Sequence, residues 1–259
     1  MNASNSSQNF AFERFILVVK RFYFLNQKNW LIGILGITGL LFLFWFLPVM
    51  AFNLDPDHFS FSNLEGAVTF FYVVGGFALT SRLFHEVHSP GSAFQLLTLP
   101  ATNLEKFFAA WIISTVGYTI IAMLAIVFLS AAIEIISAFQ LGTLSNFSLF
   151  NPFDPIILYT IEGYFYYQCI FFLGAIYFKK NNFLKTLLSA IIFVLSILFI
   201  LGMVGLFYSL FYAEDFSFQI QLSDYLAYTP SYLSTVIGII FMSFMLFLSY
   251  LQIKNKQVA

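Results

Sequence analysis

The chain has 259 residues, 60% of them apolar, 21% aromatic and only 9% charged. Soluble domains carry about 25% charged residues, so this composition excludes an ordinary soluble globule and belongs to a polytopic membrane protein. The net charge of −1 gives no basis for a nucleic-acid partner, and a single cysteine, Cys169, excludes an internal disulfide and most cysteine-based metal sites.

Residues 1–8 (MNASNSSQ) are polar and read as a disordered tail. Residues 9–29 read as an amphipathic interfacial helix. Glu13 with Arg14, Lys20 with Arg21, and Gln27 with Lys28 recur every seven residues, which keeps them on one helical face. Phe12, Phe15, Ile16, Val19, Phe22 and Tyr23 cover the other faces. Such a helix lies in the headgroup plane with its apolar side down. Its polar face (Glu13, Arg14, Lys20, Arg21, Lys28) either anchors the N-terminus or also meets a cytosolic partner. No small-residue cleavage site precedes the first apolar stretch, so no cleavable signal peptide is expected.

Residues 30–259 read as a six-helix transmembrane domain, giving an all-α polytopic fold. The apolar segments are 30–50, 66–84, 107–131, 156–178, 184–212 and 230–252, each about 20 residues or more and long enough to span. The first carries Gly33, Gly36 and Gly39, has Trp30 and Trp45 near its ends, and is closed by Pro48. In the following outer loop, Asp55, Asp57 and His58 are residue types that hold a cation, but one short cluster is not a coordination sphere, and a solvated turn fits better. Span two ends in Gly75, Gly76 and Arg82, whose charge can snorkel to the surface.

The loop 85–106, HEVHSPGSAFQLLTLPATNLEK, is the longest inward interruption. His85, Glu86 and His88 resemble a metal motif only superficially: a zincin needs two His at i and i+4, and here they stand at i and i+3 before Ser-Pro-Gly. A turn at a helix end explains them better. Ser92 to Leu99 has room for two helical turns, Pro100 stops them, Thr102 or Asn103 caps span three, and Glu105 suits the positive end of its dipole. Between spans three and four, residues 132–155 form an outward region whose first part can extend the helix, and its Asn-Pro and Asp-Pro pairs make turns. Span four contains Glu162, 6–8 residues in from its outer end, with Tyr159, Tyr164, Tyr166, Tyr167 and Gln168 nearby. An ionisable group in a span is by default a functional candidate. Three roles fit Glu162: holding a substrate cation, relaying a proton, or staying protonated on a tyrosine; the plainer alternative, which weighs more, is a shifted span that leaves it near the surface. Residues 179–185 (KKNNFLK) read as a tight basic turn, and 213–229 as the last outer loop.

The charges set the orientation. All eleven Lys and Arg fall in the N-terminal segment, the loop between spans two and three, the turn between four and five, or the C-terminus. The other loops hold Asp55, Asp57, Glu65, Glu134, Asp154, Glu214, Asp215 and Asp224 and no basic residue. Positive-inside then places both termini in the cytosol of a cell-membrane protein. No P-loop, G-x-S-x-G or H-E-x-x-H occurs, so no catalytic residue, metal or cofactor is expected.

This layout resembles the permease subunits of type-2 ABC exporters. The segment FQLLTLPATNLEK, Phe94 to Lys106, is similar to the Leu-Leu-Pro, small-polar, Glu-Lys stretch that many such permeases carry before span three, and YLQIKNKQV resembles their C-terminal ends. The resemblance implies a homodimer or a heterodimer with a second permease, and a separate ABC ATPase docked on a coupling helix within His85–Leu99. Its contact residues would come from His85, Glu86, His88, Phe94, Gln95 and Leu99. It also implies alternating access driven by ATP. The short loop between spans five and six departs from the family pattern. Two other readings fit the same residues: a non-transporting scaffold or regulatory subunit gripped through this loop, and a secondary transporter coupled to protons through Glu162, with Gln168 as a second membrane-embedded polar group.

Overall fold

The structure, a computed structural model, describes residues 10–52, 61–84, 99–141, 149–212 and 231–258. Among them every regular element is helical. Six rods make up the fold: α1 (Phe12–Phe52), α2 (Glu65–Arg82, entered through a short 3₁₀ turn Phe61–Leu64), α3 (Asn103–Ile112, a π-helical turn Ile113–Gly117, then Tyr118–Leu141), α4 (Pro155–Tyr177), α5 (Asn182–Tyr212) and α6 (Ser231–Val258). Five are long and apolar enough to cross a membrane. The exception is α2, 18 residues bracketed by Glu65 and Arg82.

Local chemistry explains most of the ends. Thr102 is the N-cap of α3, and its hydroxyl accepts the Glu105 amide while Glu105 returns a bond to the Thr102 amide. Asp154 caps α4 by accepting the Ile156 amide at 2.9 Å, with Pro155 following it where a missing N–H costs nothing. Asn181 takes a φ of 53°, the left-handed conformation that asparagine tolerates, and so reverses the chain between α4 and α5. The π-helical turn sits where Ser114 and Thr115 both direct their hydroxyls at the Trp111 carbonyl, at 3.1 and 2.6 Å. Such back-bonding competes with the helical ladder.

Two expectations about α1 need correction. It is one unbroken helix, so no joint separates an interfacial helix 9–29 from a span 30–50. The physical reason is that Asn26-Gln27-Lys28-Asn29 contains neither Pro nor Gly, and nothing there stops the ladder. Pro48 does not close the helix either, because the chain stays helical to Phe52. Proline removes a single N–H from the ladder, and a long helix absorbs that loss. As the sequence allowed for the first part of 132–155, α3 continues past Glu134, whose side chain is buried.

The rods alternate in direction. One end of the bundle gathers the start of α1, the end of α2, the start of α3, the end of α4, the start of α5 and the end of α6. The Ala11–Glu105 and Asn182–Ser81 hydrogen bonds and the Phe84–Phe172 and Phe107–Tyr250 ring contacts record this. The described Lys and Arg residues belong to this end, which agrees with the charge pattern of the sequence. A cluster around Val18, Phe22, Trp30, Phe84, Phe107 and Phe172 fills the basic end. A second, around Leu41, Trp45, Tyr72, Tyr118, Ile133 and Tyr164, fills the other. Helix α4 is the central rod, packing on α2, α5 and α6.

Candidate functional site

The most built-up polar junction lies at the basic end, where the loop 85–98 returns to the bundle. Glu105 has no exposed surface. Its Oε1 accepts the backbone amide of Ala11 at 2.7 Å and Nη2 of Arg14 at 3.2 Å, and its Oε2 accepts the Thr102 amide at 2.8 Å. One carboxylate therefore caps two helices: its own and, 94 residues away in sequence, the first turn of α1. Helix starts carry unsatisfied N–H groups and partial positive charge, so both ends favour this anion. Burial works to raise the Glu105 pKa, but the Ala11 and Thr102 amides and the Arg14 guanidinium outweigh it and hold the carboxyl below its ordinary value of 4.5. The Lys106 ammonium beside it is shifted down, by burial first and by Arg21 second.

A second polar cluster sits mid-bundle around the π-helical turn. The Gln168 side chain is fully buried, and its Nε2 donates to Thr80 Oγ1 at 3.2 Å and Ser114 Oγ at 2.8 Å. The Tyr164 hydroxyl donates to the Ser114 carbonyl at 2.9 Å, and the Tyr118 hydroxyl to the Tyr72 carbonyl at 2.7 Å. Tyr72 and Thr119 share a hydroxyl bond at 2.9 Å. The three tyrosine rings touch one another with centroids 5.2 to 5.6 Å apart: Tyr72 and Tyr118 stack, and Tyr164 is tilted against both. Gly76 makes this possible, since a Cβ there would lie 2.7 Å from the Tyr118 ring. The cluster joins α2, α3 and α4 through neutral groups alone. It holds no nucleophile paired with a base, so its chemistry is packing and hydrogen bonding.

Of the expected coupling-loop residues, His85, Glu86, His88, Phe94 and Gln95 lie outside the described residues, as do Asp55, Asp57 and His58. Leu99 is described, and it packs into the cluster at the basic end. On α1, Glu13, Lys20 and Lys28 are exposed, while Arg14 and Arg21 are partly buried. Arg14 pairs with Glu105, and Arg21 acts on Lys106, so both are turned to α3. Val18 and Phe22 lie buried on that side. Glu162 and Gln168 are not brought together. They stand six residues apart on α4, which sets them on different faces at about 100° per residue. Gln168 faces α2 and α3, and Glu162 faces a groove shared with α6.

The sequence marks Glu105 as a first-turn acid and offers Thr102 or Asn103 as the cap, and the structure selects Thr102. Sequence reasoning missed the reach of Glu105 to α1. The Thr102-x-x-Glu105 pattern before an apolar run signals the local half of that junction, and nothing in the sequence signals the distant half. The buried roles of Thr80, Ser114 and Tyr118 were missed too, because lone hydroxyls in a span carry no periodic signal.

No family model, curated protein or solved structure matches this chain. Its long apolar helices define the class: a helical membrane-spanning protein.

Proposed function

We propose that the chain is the permease subunit of an ATP-driven ABC exporter. It pairs with a second copy or a related permease and takes its force from a separate ATPase subunit docked on the loop 85–106. The observation that carries this reading is the Glu105 junction. The loop's return to the bundle is bonded to the first turn of α1 through Glu105, Ala11 and Arg14. A push on the loop is thereby delivered to α1 and α3 at once rather than to one helix. The Gln168 and Tyr164 bonds carry it on from α3 to α4 and α2. Alternating access needs rods that re-pack as units between two arrangements, and bonded pairs of rods serve that need. The resemblance of Phe94–Lys106 to the permease motif and the gathering of the described Lys and Arg at one end support the same reading.

Copurification tests it. A neighbouring gene encoding an ATPase with a Walker A motif is coexpressed with the tagged chain. The ATPase is expected to coelute, and Glu86→Lys combined with Phe94→Ala is expected to weaken the complex and its ATPase stimulation. Retention of both by the double variant would overturn the assignment of the loop.

A further inference from the structure

The groove between α4 and α6 carries chemistry that the permease reading leaves unused. It has a volume of about 500 Å³ and is lined by Tyr159, Glu162, Gly163, Tyr166 and Tyr167 of α4 and by residues from Leu233 to Phe241 of α6. That volume falls within the range of small-molecule sites, about 300–1,000 Å³. The lining is aromatic and aliphatic except for one carboxylate and a few hydroxyls. Glu162 stands seven residues into α4, roughly 10 Å along the helix from Pro155. The Tyr166 hydroxyl donates to its Oε1 at 2.6 Å, and also lies 3.5 Å from the Thr235 carbonyl of α6. Gly238 sets this geometry: a Cβ there would lie 2.5 Å from the Tyr166 ring, so any larger residue would push the ring away from α6. Tyr166 thus holds the carboxylate in one place while its other oxygen stays without a hydrogen-bond partner among the described residues. No basic side chain lines the groove among the described residues.

We propose that this groove is a binding site for a hydrophobic organic cation. Three features point to that class. A carboxylate placed in an apolar groove of a membrane-spanning bundle is costly unless a partner arrives, and no cation lines the groove among the described residues. The exposed faces of Tyr159 and Tyr167 beside it are the surfaces on which an organic cation gains a cation–π contact. The remaining lining is apolar, so the ligand carries an apolar body around its charge. A bare metal ion fits poorly, because a hard cation takes six or more oxygens and the groove offers one carboxylate. A proton relay fits less well, because among the described residues no second carboxylate, imidazole or amine lines the groove to pass the proton on. The site stands independently of the permease reading, since binding here needs no ATPase.

The test uses the full chain in phosphatidylcholine nanodiscs without any partner. Radiolabelled tetraphenylphosphonium, a permanently charged apolar cation, is measured by equilibrium dialysis with empty nanodiscs subtracted. Saturable binding of about one probe per chain is expected, with no competition from triphenylphosphine oxide, which has a similar shape without the charge. Glu162→Gln is expected to weaken binding at least tenfold. Gly163→Leu is expected to do the same by filling the groove. A Cβ at Gly163 meets nothing within 4 Å, so this variant keeps the carboxylate and adds its side chain without a clash at the first carbon; unchanged melting of the variant checks its fold. Absence of saturable binding by the native chain overturns the proposal. So does wild-type affinity in Gly163→Leu, whether or not Glu162→Gln folds. Either result leaves the ATPase copurification test untouched.

Discussion

Replacing Glu105 by Gln isolates the charge of the junction while keeping its size. The carboxylate receives three donors on two oxygens, from Ala11 and Arg14 on one and Thr102 on the other. Glutamine has a single oxygen. Whichever way its amide turns, an NH₂ faces a backbone N–H, and one helix start loses its cap. A hydrogen bond to a charged group is worth about 1.5–3 kcal/mol, and each helix dipole adds about 0.3–1 kcal/mol. Glutamine keeps one of the two caps, so the loss lies toward the low end of these ranges. The expected loss is about 2 kcal/mol, which raises the local opening equilibrium roughly 30-fold. Hydrogen exchange read by mass spectrometry on the native membrane-embedded chain reports it. Faster exchange is expected in the first two turns of α1 and at 102–106, with α4 unchanged. Combining Glu105→Gln with Arg14→Leu is expected to cost less than the sum of the two changes, because both break the same bond. Unchanged exchange at 11–18, together with strict additivity, would refute the idea that this carboxylate joins α1 to α3.

Acid is expected to loosen the same junction. The Glu105 carboxyl is held below its ordinary value of 4.5, so its contribution is complete above about pH 4.5 and is lost as pH falls through the lower, folded value. Taken relative to the intrinsic amide rate at each pH, exchange at 11–18 is expected to rise as pH falls below about 4.5 in the native chain and to stay flat in Glu105→Gln. At the π-helical turn, Gln168→Met is expected to lower thermal stability by only about 1 kcal/mol: it loses two donated bonds, but it also removes a buried side-chain oxygen that has no partner. Gln168→Glu places a charge there and is expected to cost at least about 3 kcal/mol. Equal melting of the two variants would mean that water reaches the site. Gly174→Ala is expected to cost about 1–3 kcal/mol, because its Cβ overlaps Thr186 Oγ1 where α4 meets α5. Thr186→Ala in the same chain is expected to restore part of that loss, and failure to do so would mean that the two helices do not touch there.

What was legible in the sequence was what repeats or what stops. Long apolar runs gave the number of rods, and the alternation of basic and acidic loops gave their up-and-down order. Thr102 and Glu105 announced one helix start that the structure contains, whereas Asp154-Pro155, read as a turn, also opens α4. The junction between α1 and α2 was placed less well, because Pro48 reads as a stop in isolation and α1 passes through it. The candidate sites were only half readable. Glu162 was visible because a lone acid in an apolar span is conspicuous, but its neighbour across the groove is set by Gly238, which has no chemistry of its own. Gln168, six residues on, looked like part of the same site until helical geometry turned it toward α2 and α3.

Glu105 shows most clearly where a linear reading runs out. A capping box is a local device, and its residues satisfy one another within four positions. Nothing about Thr102 and Glu105 calls for a third partner, so a sequence reading assigns the acid to its own helix and stops. The structure keeps that role on Oε2 and gives Oε1 to Ala11 and Arg14. The regular spacing of Glu13, Arg14, Lys20 and Arg21 suggested one solvated face. A difference of one residue turns a side chain about 100° around a helix, enough to leave Glu13 and Lys20 outside and turn Arg14 and Arg21 onto α3. The same seven-residue period therefore serves two surfaces at once. Only the packing of Val18 and Phe22 against α3 decides which member of each pair faces inward.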